Sequence, residues 1–243
     1  LSATLLPTGS LRLPLQHGPV TELPGFAEGE WWVQDAAAAL PVMLAGSVAG
    51  KTALDLCAAP GGKPAQLAAR GATGTAVDDS PPRLARLHDT LKRLRLAATV
   101  LTADVLALPE HRQYDLVLLD APCSATGTIR RHPDLPHLKS ARQIDGLVKL
   151  QARLLDKAAT LTRPGGMLLY CTCSLLPEEG EDQTAAFLTR QPEFSRLPVK
   201  PADVGGEARF ITPAGDLRTL PAMAFGGDTL DGFYTARLIL AGH

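Results

Sequence analysis

Four cysteines and a series of aspartates carry most of the chemistry open to this 243-residue chain. Cys171 and Cys173 lie in Tyr170-Cys171-Thr172-Cys173-Ser174, Cys123 ends Asp120-Ala121-Pro122-Cys123, and Cys57 opens Cys57-Ala58-Ala59-Pro60-Gly61-Gly62-Lys63. A cysteine in its thiolate form is a nucleophile, so Cys173 is a candidate for covalent catalysis. Taken alone it is equally a core residue, a metal ligand or half of a disulfide. The spacing argues against two of these. Cys-x-Cys with two isolated cysteines is poor zinc-ligand spacing, and four unevenly placed cysteines do not make a secreted disulfide framework in a chain this long. No metal site is expected and the thiols are expected to be reduced, with Cys57 and Cys171 also readable as small buried hydrophobes.

The pair Gly61-Gly62 lets backbone approach a ligand closely, and the turn opens a helix whose N-terminal amides bind a carboxylate or phosphate. A nucleotide-like ligand is implied. A Walker loop would need Gly at Cys57 and Ser or Thr at Pro64, and the Gly-x-Gly-x-x-Gly dinucleotide spacing is absent. Asp78, at the end of the second strand, is placed to accept hydrogen bonds from ribose hydroxyls, and Asp104, after the third, to reach an adenine amino group. For both, a helix cap or a solvated turn is the plainer alternative. Asp79 reads as a bystander.

These residues need a scaffold that collects them, and the chain alternates short apolar runs with amphipathic stretches, as in βα units around a mostly parallel sheet. Strands are expected at 52–57, 74–77, 99–102, 114–119, 166–171, weakly at 194–197, and at 232–240. Helices are expected at 36–44, 65–70, 82–96, 142–161 and 178–190, the third marked by Leu84, Leu87, Leu91 and Leu94. Asp35 is placed to cap the first of these. Residues 1–30, with Pro7, Pro14, Pro19 and Pro24, read as an extended connection. The expected division is therefore 1–45 as connecting segment and lead-in helix, and 46–243 as a single α/β domain. In such sheets ligands sit outside the carboxyl ends of the strands. Cys57 to Lys63, Asp78, Asp104, Asp120 to Cys123 and Cys173 all fall at such ends.

Bulk composition excludes less. Formal net charge is -1 and the isoelectric point about 6.7, so charge gives no general case for a polyanionic partner. No apolar run is long enough for a membrane span and no charged leader precedes one, so a cytoplasmic, soluble chain and no membrane partner are expected. Leu1 in place of Met suggests a piece of a longer protein.

Three motifs in fixed order carry a resemblance: Asp55-Leu56-Cys57-Ala58-Ala59-Pro60-Gly61-Gly62-Lys63, Asp120-Ala121-Pro122-Cys123-Ser124-Ala125-Thr126-Gly127, and Tyr170 to Ser174. The chain resembles the Sun/RsmB family of bacterial small-subunit ribosomal RNA cytosine-C5 methyltransferases, related to the Nop/Sun-domain RNA methyltransferases. Similarity runs from about Leu23-Pro24-Gly25-Phe26 through Asp231-Gly232-Phe233-Tyr234, and Ile129-Arg130-Arg131-His132-Pro133-Asp134 points to the RsmB branch. The resemblance implies a Rossmann-like class I fold with seven strands, helices on both faces and the last strand antiparallel, and S-adenosylmethionine as methyl donor. It implies a donor pocket lined by Cys57, Ala58, Ala59, Pro60, Gly61, Gly62, Lys63, Asp78, Asp104 and Asp120. Cys173 is implied to be the nucleophile and Cys123 to assist release of the methylated base. Pro177-Glu178-Glu179 matches the family as well. Pro64 stands where the family has Thr or Ser, and Gly180 where Asn follows the glutamates. About fifty residues precede the first core strand, so most of the helical N-terminal RNA-binding domain of RsmB-type enzymes is expected to be missing.

Cytosine carbon 5 attacks a sulfonium methyl only after a thiolate has added at carbon 6, which assigns Cys173 the addition. Asp120 is the candidate to stabilise charge on the ring, Cys123 to promote release, and Lys63 to orient the site or lower the thiol pKa, an exposed lysine at a helix start being the alternative. Arg130, Arg131, His132, Lys139 and Arg142 are expected to meet RNA phosphates, whereas Lys92-Arg93-Leu94-Arg95 reads as a solvated helix face. Trp31 and Trp32 are expected to pack against the core. The target base must be unstacked, and a monomer acting on free ribosomal RNA is expected. Methylation of tRNA or another RNA, and an idle RNA-binding module, are the alternatives.

Overall fold

The computed structural model describes residues 3–14 and 18–242, so the expected connection 1–30 lies partly outside the described residues. Within it, Thr4–Leu5 pairs with Leu11–Arg12, and Val20–Glu22 forms a single 3-10 turn. In place of the expected extended run, the chain turns through 24–29 and passes Trp31 and Trp32 without regular structure into α1 (Ala36–Leu44), whose first turn is capped by Asp35 accepting from Ala37 N at 2.9 Å. No strand forms at 31–35.

The apolar runs become β1 (Thr52–Leu56), β2 (Thr73–Asp78), β3 (Ala98–Thr102), β4 (Tyr114–Asp120), β5 (Thr162–Thr172), β6 (Phe194–Arg196), β7 (Leu217–Thr219) and β8 (Phe233–Leu240). The first five are parallel in the order β3-β2-β1-β4-β5, and β8 runs antiparallel beside β5, with β6 and β7 both pairing β8. Strand order reverses between β1 and β4, so a crevice opens beyond the ends of those strands. The sheet therefore has the seven expected strands and an eighth, β7. Three residues around the charged Arg218 carry no strand period, and β7 forms because β8 offers it an edge.

The period of two sorts side chains between two cores. Ala53, Leu116, Leu118, Leu169 and Cys171 face α1 and α2 (Gly62–Ala69), while Leu54, Leu56, Val117, Leu119, Leu168 and Tyr170 face α4 (Ala141–Thr160) and α5 (Glu181–Arg190). α3 (Pro81–Leu94) buries the expected stripe Leu84, Leu87, Leu91 and Leu94 beside α2. α1 belongs to the first core through Ala37, Leu40, Val42 and Leu44.

Two boundaries depart from expectation with effects at the site, and one helix face departs elsewhere. α2 begins at Gly62 rather than at 65, so the glycine-rich motif itself supplies its first turn. Pro64 fits there because the amide it lacks has no partner inside the first turn. The segment expected as one helix at 178–190 is a 3-10 turn, Pro177–Glu179, followed by α5, with Gly180 between them. The expected solvated face of α3 is interrupted at Arg93, which donates to the carbonyls of Phe26 (2.8 Å) and Trp31 (3.0 Å) and lies 3.9 Å over the Phe26 ring.

Candidate active site

Parallel pairing of β4 with β5 sets Asp120 beside Cys171, and the loops that follow these two strands bring Cys123 and Cys173 together. Cys123 Sγ and Cys173 Sγ lie 3.5 Å apart. Backbone seals this meeting: Gly127 N donates to Cys173 O at 2.9 Å and Gly232 N to Gly127 O at 2.8 Å. Any Cβ on Gly127 would come within 2.0 Å of Gly232 O, so the approach requires glycine. Ala125, in the same loop, holds a left-handed φ of 59°.

Lys63, from the first turn of α2, reaches across to Asp120 Oδ2 at 2.7 Å and lies 4.9 Å over the Phe233 ring. It is 8% exposed, so the reading as a surface lysine fails. Burial is the largest influence and opposes its charge, but the attraction and hydrogen bond of Asp120, with Asp55 adding, together raise the pKa and keep the ammonium charged. Cys171 Sγ lies 3.6 Å from Asp120 Oδ1 and, being buried beside that carboxylate, is pushed up and stays a thiol. Cys57 is likewise pushed up to about 12 by burial and then by Asp120 and Asp78.

Cys173 differs. The Cys123 thiol donates toward it, and this contact lowers the Cys173 pKa against burial and Asp120, with Lys63 adding to the lowering. The same contact, then burial, raises Cys123. The contact therefore makes the two thiols unequal, favouring the proton on Cys123 and the thiolate form on Cys173.

The glycine-rich segment forms the neighbouring wall. Cys57 adopts φ 60°, a left-handed conformation that costs a non-glycine residue roughly 1–2 kcal/mol and that clusters at functional sites. The chain turns there so that Ala58 N bonds Val77 O at 3.0 Å. Gly61 has φ 114°, and a Cβ would press on Leu87. Asp78, 2% exposed, accepts from Ala59 N and Ser80 N, each at 3.1 Å, with Arg83 3.4 Å away; it thus ties the loop to the end of β2. Asp104 stands at the rim, where its carboxylate caps a 3-10 turn by accepting from Leu106 N at 2.9 Å. That is the plainer of the roles expected for it.

Arg130 and Arg131 are engaged by protein. Arg130 reaches Asp35 at 2.9 Å and Asp231 at 3.3 Å, and Arg131 donates to Asp231 Oδ2 at 2.6 and 3.0 Å and to Oδ1 at 3.4 Å. Their expected phosphate contact competes with these carboxylates. Arg142 is exposed at the start of α4. Among the described residues no group of three His, Cys, Asp or Glu could hold a metal ion, and no helix is long and apolar enough to cross a membrane.

Two buried carboxyl groups escape a reading of the sequence. Asp55, 1% exposed on β1, has neither oxygen hydrogen-bonded within the protein. Burial raises its pKa far above the carboxylate range; Lys63 opposes the rise and Asp120 and Asp78 add to it. Glu179, fully buried, accepts from Ser124 N at 2.9 Å, Ser124 Oγ at 2.5 Å and Gln151 Nε2 at 3.0 Å. The motif Pro177-Glu178-Glu179 pointed at the pair of glutamates without separating the buried one from the exposed one.

A family model described as 16S rRNA methyltransferase RsmB/F matches residues 42–239, which takes in every residue of this site. The chain belongs to the RsmB/F family. Ribosomal RNA small subunit methyltransferase B of Salmonella arizonae is 45% identical over 226 residues, 91% of this chain and 49% of that protein. The chain thus spans about half the length of the curated relatives it matches. Of solved structures, PH0851 superposes with a TM-score of 0.82 at 33% identity, covering 94% of this chain and 50% of that one. NSun6 from Pyrococcus horikoshii, solved with SFG, gives 0.78 at 24% identity over 96% of this chain and 58% of that one, a likeness of fold alone. The RsmB/F chain described here has the Rossmann-like class I methyltransferase fold.

Proposed function

We propose that this chain is the catalytic part of an S-adenosylmethionine-dependent methyltransferase acting on carbon 5 of a cytosine in small-subunit ribosomal RNA. The observation that carries the reading is the pair Cys123 and Cys173, sulfurs 3.5 Å apart, beside the Lys63–Asp120 pair. Residues 46–243 would form the catalytic domain, with α1 of the preceding segment packed into its core.

The residues of the crevice fit the methyl donor. Buried Asp55 has two oxygens without a protein partner, the glycine-rich loop turns at Gly61 into the first turn of α2, whose amides can meet an anionic group, and Asp78 holds that loop. Cys57, Ala58, Ala59, Pro60, Gly61, Gly62, Lys63, Asp78, Asp104 and Asp120 would hold it. When bound, S-adenosylmethionine supplies an electrophilic methyl group.

The chain's own residues act on the base. Cys173 Sγ, the thiolate of the pair, adds to carbon 6, and the electron pair of the 5,6 double bond moves into the ring. Lys63 and Asp120 stand beside the thiol to stabilise charge developing there. Carbon 5, now enamine-like, becomes the nucleophile for the methyl group. The hydrogen on carbon 5 then leaves as a proton to a base, its bonding pair restores the double bond, and the sulfur–carbon bond breaks with its pair returning to Cys173 Sγ. Cys123 promotes that expulsion, because a thiol donating toward the departing sulfur stabilises the thiolate that forms.

A loop or unfolded RNA segment is the substrate form this chemistry needs, since the ring must leave its stack. Exposed Arg142 supports phosphate contact near the α4 end of the site, and a monomer acting in the cytoplasm is the form this reading expects.

The test is denaturing electrophoresis of the chain incubated with unmodified small-subunit ribosomal RNA and labelled S-adenosylmethionine. Cys173→Ala should lose both methylation and the protein–RNA adduct, and Cys123→Ala should accumulate the adduct. Methylation that survives Cys173→Ala, or an adduct appearing in that variant instead, overturns the reading.

A further inference from the structure

We infer that Glu179 is the positioning residue that holds the Cys123 loop in register with Cys173, so that release of the methylated base depends on it. This inference rests on the two-thiol reading above and deepens it.

Glu179 touches neither thiol. It stands at the end of the Pro177–Glu179 turn, fully buried, six residues beyond Cys173. Its backbone oxygen belongs to the β5 side, accepting from Tyr170 OH at 2.8 Å and Thr172 Oγ1 at 3.3 Å. Its side chain reaches to the other loop: both oxygens accept from Ser124 N, at 2.9 and 3.1 Å, and Oε2 accepts from Ser124 Oγ. Ser124 follows Cys123 directly. Gln151, from α4, completes the clamp, donating from Nε2 to Glu179 Oε1 at 3.0 Å and to Pro122 O at 2.9 Å. Residues on both sides of Cys123 are therefore tied, directly or through one amide, to a single carboxylate carried by the Cys173 loop.

A buried carboxylate among neutral donors is an expensive way to join two loops, since desolvating the charge costs several kcal/mol unless its hydrogen bonds are well made. An apolar contact would join them at less cost but with less angular definition. The short contacts define where Ser124, and hence Cys123, can sit. The negative charge also acts on the neighbouring thiol, favouring the proton on Cys123 and so the donor that expulsion of Cys173 requires.

Glu179→Gln is the informative change. Its new amide would face Ser124 N–H, Ser124 O–H or the Gln151 amide donor to donor, while the backbone contacts to Tyr170 and Thr172 stay. Attack by Cys173 can proceed from its residual thiolate when Cys123 is displaced, whereas release needs Cys123 in place. Incubated with unmodified small-subunit ribosomal RNA and labelled S-adenosylmethionine, the Glu179→Gln chain should therefore trap about tenfold more RNA adduct than the unaltered chain, with turnover reduced by a similar factor. The trapped RNA should carry the transferred label. Gln151→Leu, which removes one donor and leaves Glu179, should shift the same way by less, and it decides the matter if Glu179→Gln fails to fold. Glu179→Asp should restore turnover in part.

A purely structural role would lower adduct and turnover together, and that result, or an adduct level equal to the unaltered chain's, overturns the inference. Cys123→Ala on the same gel separates the two claims. If it traps adduct and the Glu179 and Gln151 variants do not, the positioning role falls; if it traps none, the two-thiol reading falls with it.

Discussion

Cys123 and Cys173 are fifty residues apart in the chain, and their sulfur atoms meet at 3.5 Å. The register Asp120↔Cys171 between parallel β4 and β5 is what makes this possible, because each cysteine then needs only two or three residues of loop to reach the other. Contact at that distance makes the thiols unequal. The contact lowers the Cys173 pKa, with Lys63 adding to the lowering, and raises that of Cys123.

The inequality has a pH signature. The Cys173 pKa is lowered, so its thiolate fraction rises and levels off at lower pH than an ordinary thiol's. Alkylation of Cys173 by iodoacetamide, followed by peptide mass spectrometry from pH 6 to 10, should show that early plateau. Cys123→Ala removes the donor and should move the rise to higher pH. Superimposable curves for the two chains would show that the sulfur contact does not tune Cys173.

Lys63 and Asp120 pair at 2.7 Å, the lysine buried and the aspartate 31% exposed. Lys63→Met removes the cation and leaves Asp120 beside Cys171 and Asp55 with only solvent to compensate it. Breaking a pair with one partner partly solvated costs about 1–2 kcal/mol, and thermal unfolding should register it as a lower Tm. The same variant should raise the Cys173 pKa, seen as slower alkylation at neutral pH. A Tm unchanged by the substitution would mean that solvent screens the pair.

Burial pushes the Asp55 carboxyl well above the usual carboxylate range in the folded chain, which favours its protonated form. Its folded pKa lies above the unfolded value of about 3.9, so between those two values the unfolded chain binds fewer protons and stability falls as pH rises. Asp55→Asn removes that dependence. Its Tm relative to the unaltered chain should be lowest at pH 4 and climb as pH rises to 8. A constant difference across that range would show that Asp55 is ionised when folded.

Asp78 supports the glycine-rich loop through Ala59 N, so its loss should reach the donor site even though the carboxylate is almost wholly covered. Asp78→Ala should weaken S-adenosylmethionine binding by about tenfold, about 1.4 kcal/mol, by calorimetry. Unchanged affinity would remove Asp78 from the donor site.

Much of this protein is legible one residue after another. The period of two in segments such as Leu116 to Leu119, the stripe from Leu84 to Leu94 and the cap at Asp35 are local patterns, and they specify strands, a helix and a helix start without knowledge of the rest. The ordered cysteine and glycine motifs likewise mark which strand ends carry chemistry. Other features have no local signature. β7 is a strand only because β8 offers an edge to Leu217–Thr219. Gly180 is needed because Arg218, arriving from β7 to hold Ser174 O at 2.5 Å, fills the space a Cβ would occupy. Arg130 and Arg131 look like free cations until Asp35 and Asp231 are brought to them from either end of the chain. Glu178 and Glu179 are the same residue type side by side, one exposed and one sealed against Ser124. Sequence alone determined which thiols and carboxylates this protein has and on which elements they ride. Only the tertiary structure decided which of them share a proton, a cation or a clamp, because those relations depend on distances that chain separation does not encode.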